Sequence, residues 1–199
     1  MTAAAGWSAV KLLGGLTQPR TVIWDTEGNM LVLQNRKGAS VHTFGADGCV
    51  SSSAMLISGG GLNHGLALSP DGKTLYASSE TTVYSWAYDA ATRKISGQKT
   101  VVRGMATGIH STRTVTVSTK DPKFILVQVG SNSNLDMPTL NKATGRSTIK
   151  VFDVSKAPAT GWNYNTEGEV FAYGLRNEIG WAEDPNGIAW GVENSGDVS

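Results

Sequence analysis

Residues 176–197 read RNEIGWAEDPNGIAWGVENSGD. Two short apolar runs, IGWA and IAWGV, flank a tight DPNG turn, and polar residues crowd both open ends. Asp-Pro-Asn-Gly supplies the residues a tight turn needs, and aromatic and β-branched side chains on either side argue for strands. Three upstream stretches repeat the plan: PRTVIWDTEGNMLVLQN (19–35), NHGLALSPDGKTLYASS (63–79) and HSTRTVTVSTKDPKFILVQVGSNSN (110–134). Each reads as polar lead-in, strand, turn rich in Asp, Gly or Pro, second strand, polar exit. No long amphipathic helical pattern interrupts them.

The four turns are spaced about 45, 50 and 63 residues apart, and a period in the forties with several strands per unit is a β-propeller signature. The segments between supply outer strands, with TTVYSWAYDAATRKI (81–95) and STIKVFDVSKAP (147–158) the clearest. The long third interval holds a polar insertion, SNSNLDMPTLNKATGR (131–146), of the kind that often carries function on a rigid scaffold. The expected fold is therefore all-β: about three blades plus the first hairpin of a fourth, with hairpins near 19–35, 63–79, 110–134 and 176–197. A β-sandwich is the alternative, but gives no reason for the same hairpin to recur. A ring needs at least about four blades, so residues 1–199 are expected to be a partial propeller from a longer chain. The remainder of the propeller, or a second copy, would close it.

Composition agrees. The chain has 24 glycines among 199 residues, 40% hydrophobic residues and only 17% charged, as short strands and tight turns require. A net charge of +1 gives no case for nucleic acid or acidic membranes as partners. No apolar run approaches the roughly 20 residues of a membrane helix. The opening MTAAAGWSAVKLLGG lacks the basic and long apolar regions of a signal peptide. Cys49 is the single cysteine, so no internal disulfide forms; a small buried or turn residue is expected there.

In a blade the first strand runs down the central channel and the second runs back. Lead-in and exit therefore share one face. Arg20, His64, Arg113 and Glu178 each directly precede an apolar run, and His110 and Arg176 lie just upstream of two of them. Side by side these would form a polar funnel, and convergent polar groups mark a site. His110 is the best acid/base candidate, since imidazole titrates near neutrality. His42, inside SVHTF, is expected to be a surface or packing residue. His64 stands at the channel mouth as a ligand contact. No GxSxG, HExxH, CxxC or strand–GxGxxG–helix pattern is present, and GGG at 59–61 reads as a flexible loop. ENSGD (193–197) offers hard oxygens of the kind calcium takes.

Together, HSTRTV (110–115), GSNSN (130–134), YGLRNEIGWAEDPNG (173–187) and VENSGD (192–197) resemble the soluble quinoprotein glucose/sorbosone dehydrogenase family, in its fungal pyranose dehydrogenase branch. The resemblance implies a six-bladed propeller holding pyrroloquinoline quinone (PQQ) and calcium at the channel mouth. It implies that His110 is the base that takes a sugar hydroxyl proton as hydride passes to the quinone. Arg176 and Asn177 match PQQ contacts. Arg113 and Asn132 fall near such positions, while His64 has no secure counterpart. Ser195, Gly196 and Asp197 match the calcium-ligand segment. The implied substrate is a pyranose or related sugar, an electron-accepting protein is a further partner, and the implied location is outside the cell. Two rivals remain on the residues alone: a calcium-dependent lactonase-like hydrolase, and a propeller that binds a partner without catalysis.

Overall fold

The computed structural model describes residues 4–194. It is an all-β structure of successive antiparallel sheets. The first sheet runs β1 (Pro19–Trp24), β2 (Met30–Gln34), β3 (Gly38–Phe44) and β4 (Val50–Ser58), in that spatial order. The second runs β5 (Leu62–Leu68), β6 (Thr74–Ser79), β7 (Thr82–Asp89) and β8 (Lys94–Arg103). The third takes β9 (Val115–Val117), β10 (Phe124–Val129) and β11 (Thr148–Asp153). A two-residue strand, β12 (Trp162–Asn163), then crosses back to pair in parallel with Val102 and Arg103 on β8, before β13 (Glu169–Tyr173) completes the third sheet. The fourth element is one hairpin, β14 (Glu178–Glu183) with β15 (Ala189–Glu193).

The four repeated stretches are thus the first hairpins of the four sheets. The third strand pair is shorter than expected: only Val115–Val117 of the TVTV run pairs, in register with Ile125–Val127. His110 consequently lies in an irregular segment rather than on a strand. The parallel return of β12 was not foreseen, because two residues carry no period. The insertion at 131–146 folds into two short 3-10 turns, Met137–Leu140 and Lys142–Thr144.

Neighbouring sheets pack face to face. Leu31, Leu33 and Val41 of the first meet Leu66, Leu75 and Trp86 of the second in one core. Val83 and Val102 of the second meet Val115, Ile125, Val127 and Phe152 of the third in another, closed by Tyr164. The fully buried leucines each contribute about 1.5–3 kcal/mol relative to exposure, so packing between sheets, more than pairing within them, fixes their relative placement. Carboxylates at and beside the turns latch adjacent sheets. Asp25, in the β1–β2 turn, accepts from Tyr88 Oη of β7 at 2.6 Å and from Asn29 N at 2.8 Å. Glu183 accepts from Ser118 Oγ and Thr119 N beyond β9.

The first strands of the sheets stand side by side. β5 lies between β1 and β9. Thr21 Oγ1 donates to the His64 carbonyl at 2.6 Å, and Thr114 Oγ1 to the Glu178 carbonyl at 3.0 Å. Close approach is built in at Gly65: a Cβ there would come within 2.4 Å of the Arg113 carbonyl oxygen. His42 is buried in β3, bound to Ser40 Oγ and Ser53 Oγ at 2.9 and 2.8 Å, the packing role expected of it. Cys49 is exposed, in the turn before β4.

Candidate active site

A cleft of about 400 Å³ runs between the first strands, lined by Thr21, Ile23, Thr116, Ile179 and Trp181. Over it, at the end where strands begin and return, lies a polar depression formed by Arg20, Asn35, Arg36, Asn63, Glu80 and Thr112. Lead-ins and exits of the first three sheets therefore share one face, as the hairpin geometry requires.

His110 sits in the irregular segment between β8 and β9 and is 9% exposed. Its Nδ1 lies 2.9 Å from both the carbonyl oxygen and Oγ of Ser131. A carbonyl only accepts, and the Ser131 hydroxyl donates to the Ser133 carbonyl at 2.8 Å. Nδ1 therefore carries the proton, and in the neutral ring Nε2 keeps its lone pair. That tautomer is the one a general base needs.

Arg176 adjoins His110 through the exit of β10. Ser131 N donates to the Arg176 carbonyl at 2.8 Å. A Cβ placed on Gly130 would lie 2.7 Å from that carbonyl and 2.9 Å from His110 Cβ. The guanidinium donates from Nη2 to Asn134 Oδ1 at 2.6 Å and from Nη1 to the Asn194 carbonyl at 2.7 Å. Its Nε is buried and has no protein partner among the described residues. Asn177 Oδ1 accepts from Thr112 Oγ1 at 3.0 Å. Glu193 Oε1 gathers the backbone N–H groups of Arg176 and Asn177, which ties the Arg-Asn lead-in to the exit of its own hairpin. Glu178, facing Glu193 across that hairpin, has its carboxyl raised above the usual range by burial and by the Glu193 charge. Asn132 is exposed at the lip, its backbone N–H donating to Asp136 Oδ2 at 2.7 Å.

Two candidates have other parts. Arg113 is 1% exposed and its donors are spent on backbone carbonyls: Nε on Glu80 at 2.8 Å, Nη1 on His110 at 2.7 Å and Thr112 at 2.8 Å, and Nη2 on Ala106. Burial lowers it to about 10, opposed by Glu80. It props the segment that carries His110 and offers no face to a ligand. His64 reaches from β5 to β14, its Nε2 donating to the Ile179 carbonyl at 2.8 Å. Its Nδ1 is shut in without a partner among the described residues, and burial holds the imidazole below its ordinary range. A bridge between strands describes it better than a contact at the mouth. Ser195, Gly196 and Asp197 lie outside the described residues.

The TrAA12-like family model matches residues 1–199. The chain belongs to the TrAA12-like family. It is similar to a PQQ-dependent pyranose dehydrogenase of Coprinopsis cinerea, 41% identical over 196 residues that cover 98% of this chain and 27% of that protein. A PQQ-dependent sugar dehydrogenase of Hypocrea jecorina is 38% identical over 203 residues, covering 98% and 47%. The solved holo PQQ domain of the Coprinopsis cinerea pyranose dehydrogenase superposes with a TM-score of 0.90 at 42% identity, covering 92% of this chain and 45% of that one. This TrAA12-like chain thus spans less than half the length of those relatives.

Three residues that sequence reasoning did not single out complete the site: Ser131, Asp136 and Arg146. Only the antiparallel pairing of β9 with β10 could have found Ser131. That pairing sets the exit of one strand beside the lead-in of the other.

Proposed function

We propose that the protein is a PQQ- and calcium-dependent oxidoreductase that oxidises a pyranose or related sugar, with His110 as general base. The observation that carries this reading is the contact of His110 Nδ1 with Ser131, which sets the tautomer, and the bond from the Ser131 N–H to the Arg176 carbonyl. The 38–41% identity to PQQ-dependent sugar dehydrogenases supports it.

The residues present fit such a cofactor. PQQ carries carboxylates, and guanidinium groups bind carboxylates through charge-assisted bonds. Arg176 has a buried Nε–H without a protein partner among the described residues, and Arg20 and Arg36 line the polar depression with Thr112, which donates to Asn177. PQQ when bound supplies an ortho-quinone able to accept hydride from the sugar carbon. His110 Nε2 takes the proton from the sugar hydroxyl. Arg176 and Asn177 orient the cofactor, Asn132 edges the mouth, and the hard oxygens of Ser195, Gly196 and Asp197 would hold calcium.

In this reading the four sheets are consecutive blades of a six-bladed β-propeller, and the cleft between their first strands is part of its channel. The exposed apolar side chains of β1 (Val22, Trp24) and of the last hairpin (Ile188, Trp190, Val192) are faces that further blades would cover. An electron-accepting protein and a location outside the cell belong to the same proposal and rest on resemblance alone.

The test is to load the full-length protein with PQQ and calcium and follow absorbance and dye reduction with a panel of pyranoses. Uptake of PQQ with sugar-dependent dye reduction is expected. His110→Ala should abolish turnover and leave uptake largely intact. No uptake by the wild type, or lactone hydrolysis without PQQ, would overturn the reading.

A further inference from the structure

Ser131–Asn134 touches both halves of the proposed site. Ser131 holds His110 Nδ1 with its carbonyl and hydroxyl, and its N–H reaches the Arg176 carbonyl. Asn132 accepts from Ile109 N, the residue before the base. Asn134 Oδ1 takes Arg176 Nη2. Yet these four residues belong to no strand, so ladder bonds do not fix them. What fixes them lies just beyond. Asp136 Oδ2 accepts the Asn132 N–H at 2.7 Å. The same carboxylate receives Arg146 in a two-pronged pair, Nε to Oδ2 at 2.7 Å and Nη2 to Oδ1 at 2.8 Å. The side chains are 4% and 21% exposed. Arg146 stands two residues before β11, which pairs with both β10 and β13. Rigidity of the third sheet thus passes through one ion pair into a loop that no strand ladder holds. The bond from Arg146 also lowers the Asp136 carboxyl below its ordinary range, so the pair stays charged under ordinary conditions.

We infer that Asp136 and Arg146 are positioning residues for the reaction: their ion pair fixes the 131–134 loop, and through it the tautomer of His110 and the aim of the Arg176 guanidinium. This rests on His110 being the base and Arg176 a cofactor contact. Neither Asp136 nor Arg146 touches the reacting groups in this account. A displacement of about 1 Å in such a group costs on the order of 100-fold in rate.

The experiment compares full-length wild type with Arg146→Gln, Arg146→Lys and Asp136→Asn. The first readout is the His110 tautomer in the cofactor-free protein, from ¹⁵N-histidine spectra assigned with His110→Gln. Wild type is expected to show a single Nδ1–H tautomer. Arg146→Gln, still folded by circular dichroism, is expected to show exchange between both tautomers. Arg146→Lys, which keeps charge but not the fork, should lie between them. The second readout is kinetic: a fall of about 100-fold in kcat for Arg146→Gln, with a smaller rise in KM for the sugar. Asp136→Asn can still accept from Asn132 and should resemble Arg146→Lys. If Arg146→Gln and Asp136→Asn are folded and His110 keeps one tautomer, the inference is overturned whatever the cofactor. If the tautomer loosens but wild type takes up no PQQ, the positioning role stands and the functional reading fails.

Discussion

Replacing Gly130 by alanine probes the contact on which the site depends, the approach of the Arg176 lead-in to His110. The added Cβ would sit 2.7 Å from the Arg176 carbonyl oxygen and 2.9 Å from His110 Cβ. Carbon atoms rest about 3.5–4.0 Å apart, so His110 Cβ must retreat by roughly 0.6–1 Å. The oxygen is backbone and cannot rotate aside. Overpacking of this kind costs about 1–3 kcal/mol, and stretching the Ser131 N–H bond to the same carbonyl removes about 1 kcal/mol more. Alanine returns about 0.5–1 kcal/mol by restricting the unfolded chain. The net expectation is a loss of about 1–3 kcal/mol in urea unfolding. If His110 is the proposed base, a shift of that size also costs on the order of 100-fold in turnover of the proposed sugar substrate. Gly180→Ala is the internal comparison. Its Cβ would lie 3.5 Å from Val192 Cγ2, ordinary contact, so stability should hold or rise by up to about 1 kcal/mol. Unchanged stability and turnover in Gly130→Ala, or an equal loss in Gly180→Ala, would refute the reasoning.

Gly65→Ala should destabilise by about 1–3 kcal/mol in the same assay, because its Cβ meets the Arg113 carbonyl at 2.4 Å and Ser78 Oγ at 2.7 Å, forcing β5 from β9. Arg113→Met should cost at least about 3 kcal/mol, since it strips donors from the carbonyls of Glu80, Ala106, His110 and Thr112 at about 1–3 kcal/mol for each one left buried and unpaired; protease susceptibility between residues 104 and 114 should rise with it. The Asp25 latch gives a pH test. Burial alone would raise this carboxyl, but bonds from Tyr88, Asn29 and Glu27 outweigh it and leave it below its usual 3.8. Its contribution is therefore complete above that value and lost as pH falls through the folded-state value. Tyr88→Phe should cost about 1.5–3 kcal/mol at pH 7, and the difference from wild type should shrink once the carboxyl is protonated; a difference that grows with acid would contradict the latch.

The period of the four hairpins was legible because each turn declares itself: DPNG and PDG admit few backbones, and the runs beside them alternate. The lead-in and exit residues were legible too, since a hairpin must return its chain to the face it left. Roles were harder. Arg113 and Arg176 look alike in sequence, each at or just before an apolar run, yet one is sealed under backbone carbonyls and the other keeps a buried Nε–H without a protein partner among the described residues. Nothing local separates them. The difference lies in the irregular segment before β9, where the carbonyls of Ala106, His110 and Thr112 take their donors from Arg113. The Asp136–Arg146 pair was hidden for a similar reason, since nine residues of irregular turn separate two halves of one fork.

These hidden residues share a cause. Sheets satisfy their own backbone by pairing, and their cores place them against one another. The proposed site is made from segments that have left the sheets, and their carbonyls and N–H groups need partners from elsewhere. Guanidinium and carboxylate groups meet that need, because one Arg113 reaches four carbonyls and one Asp136 carboxylate joins Asn132 N–H to Arg146. Charged side chains buried at the mouth therefore divide into those that hold the loops and those that face the ligand, and satisfied donors distinguish them better than position does. By that measure Arg176, whose Nε–H is buried with no protein partner among the described residues, keeps a donor that its contacts do not use, while Arg113 is part of the frame.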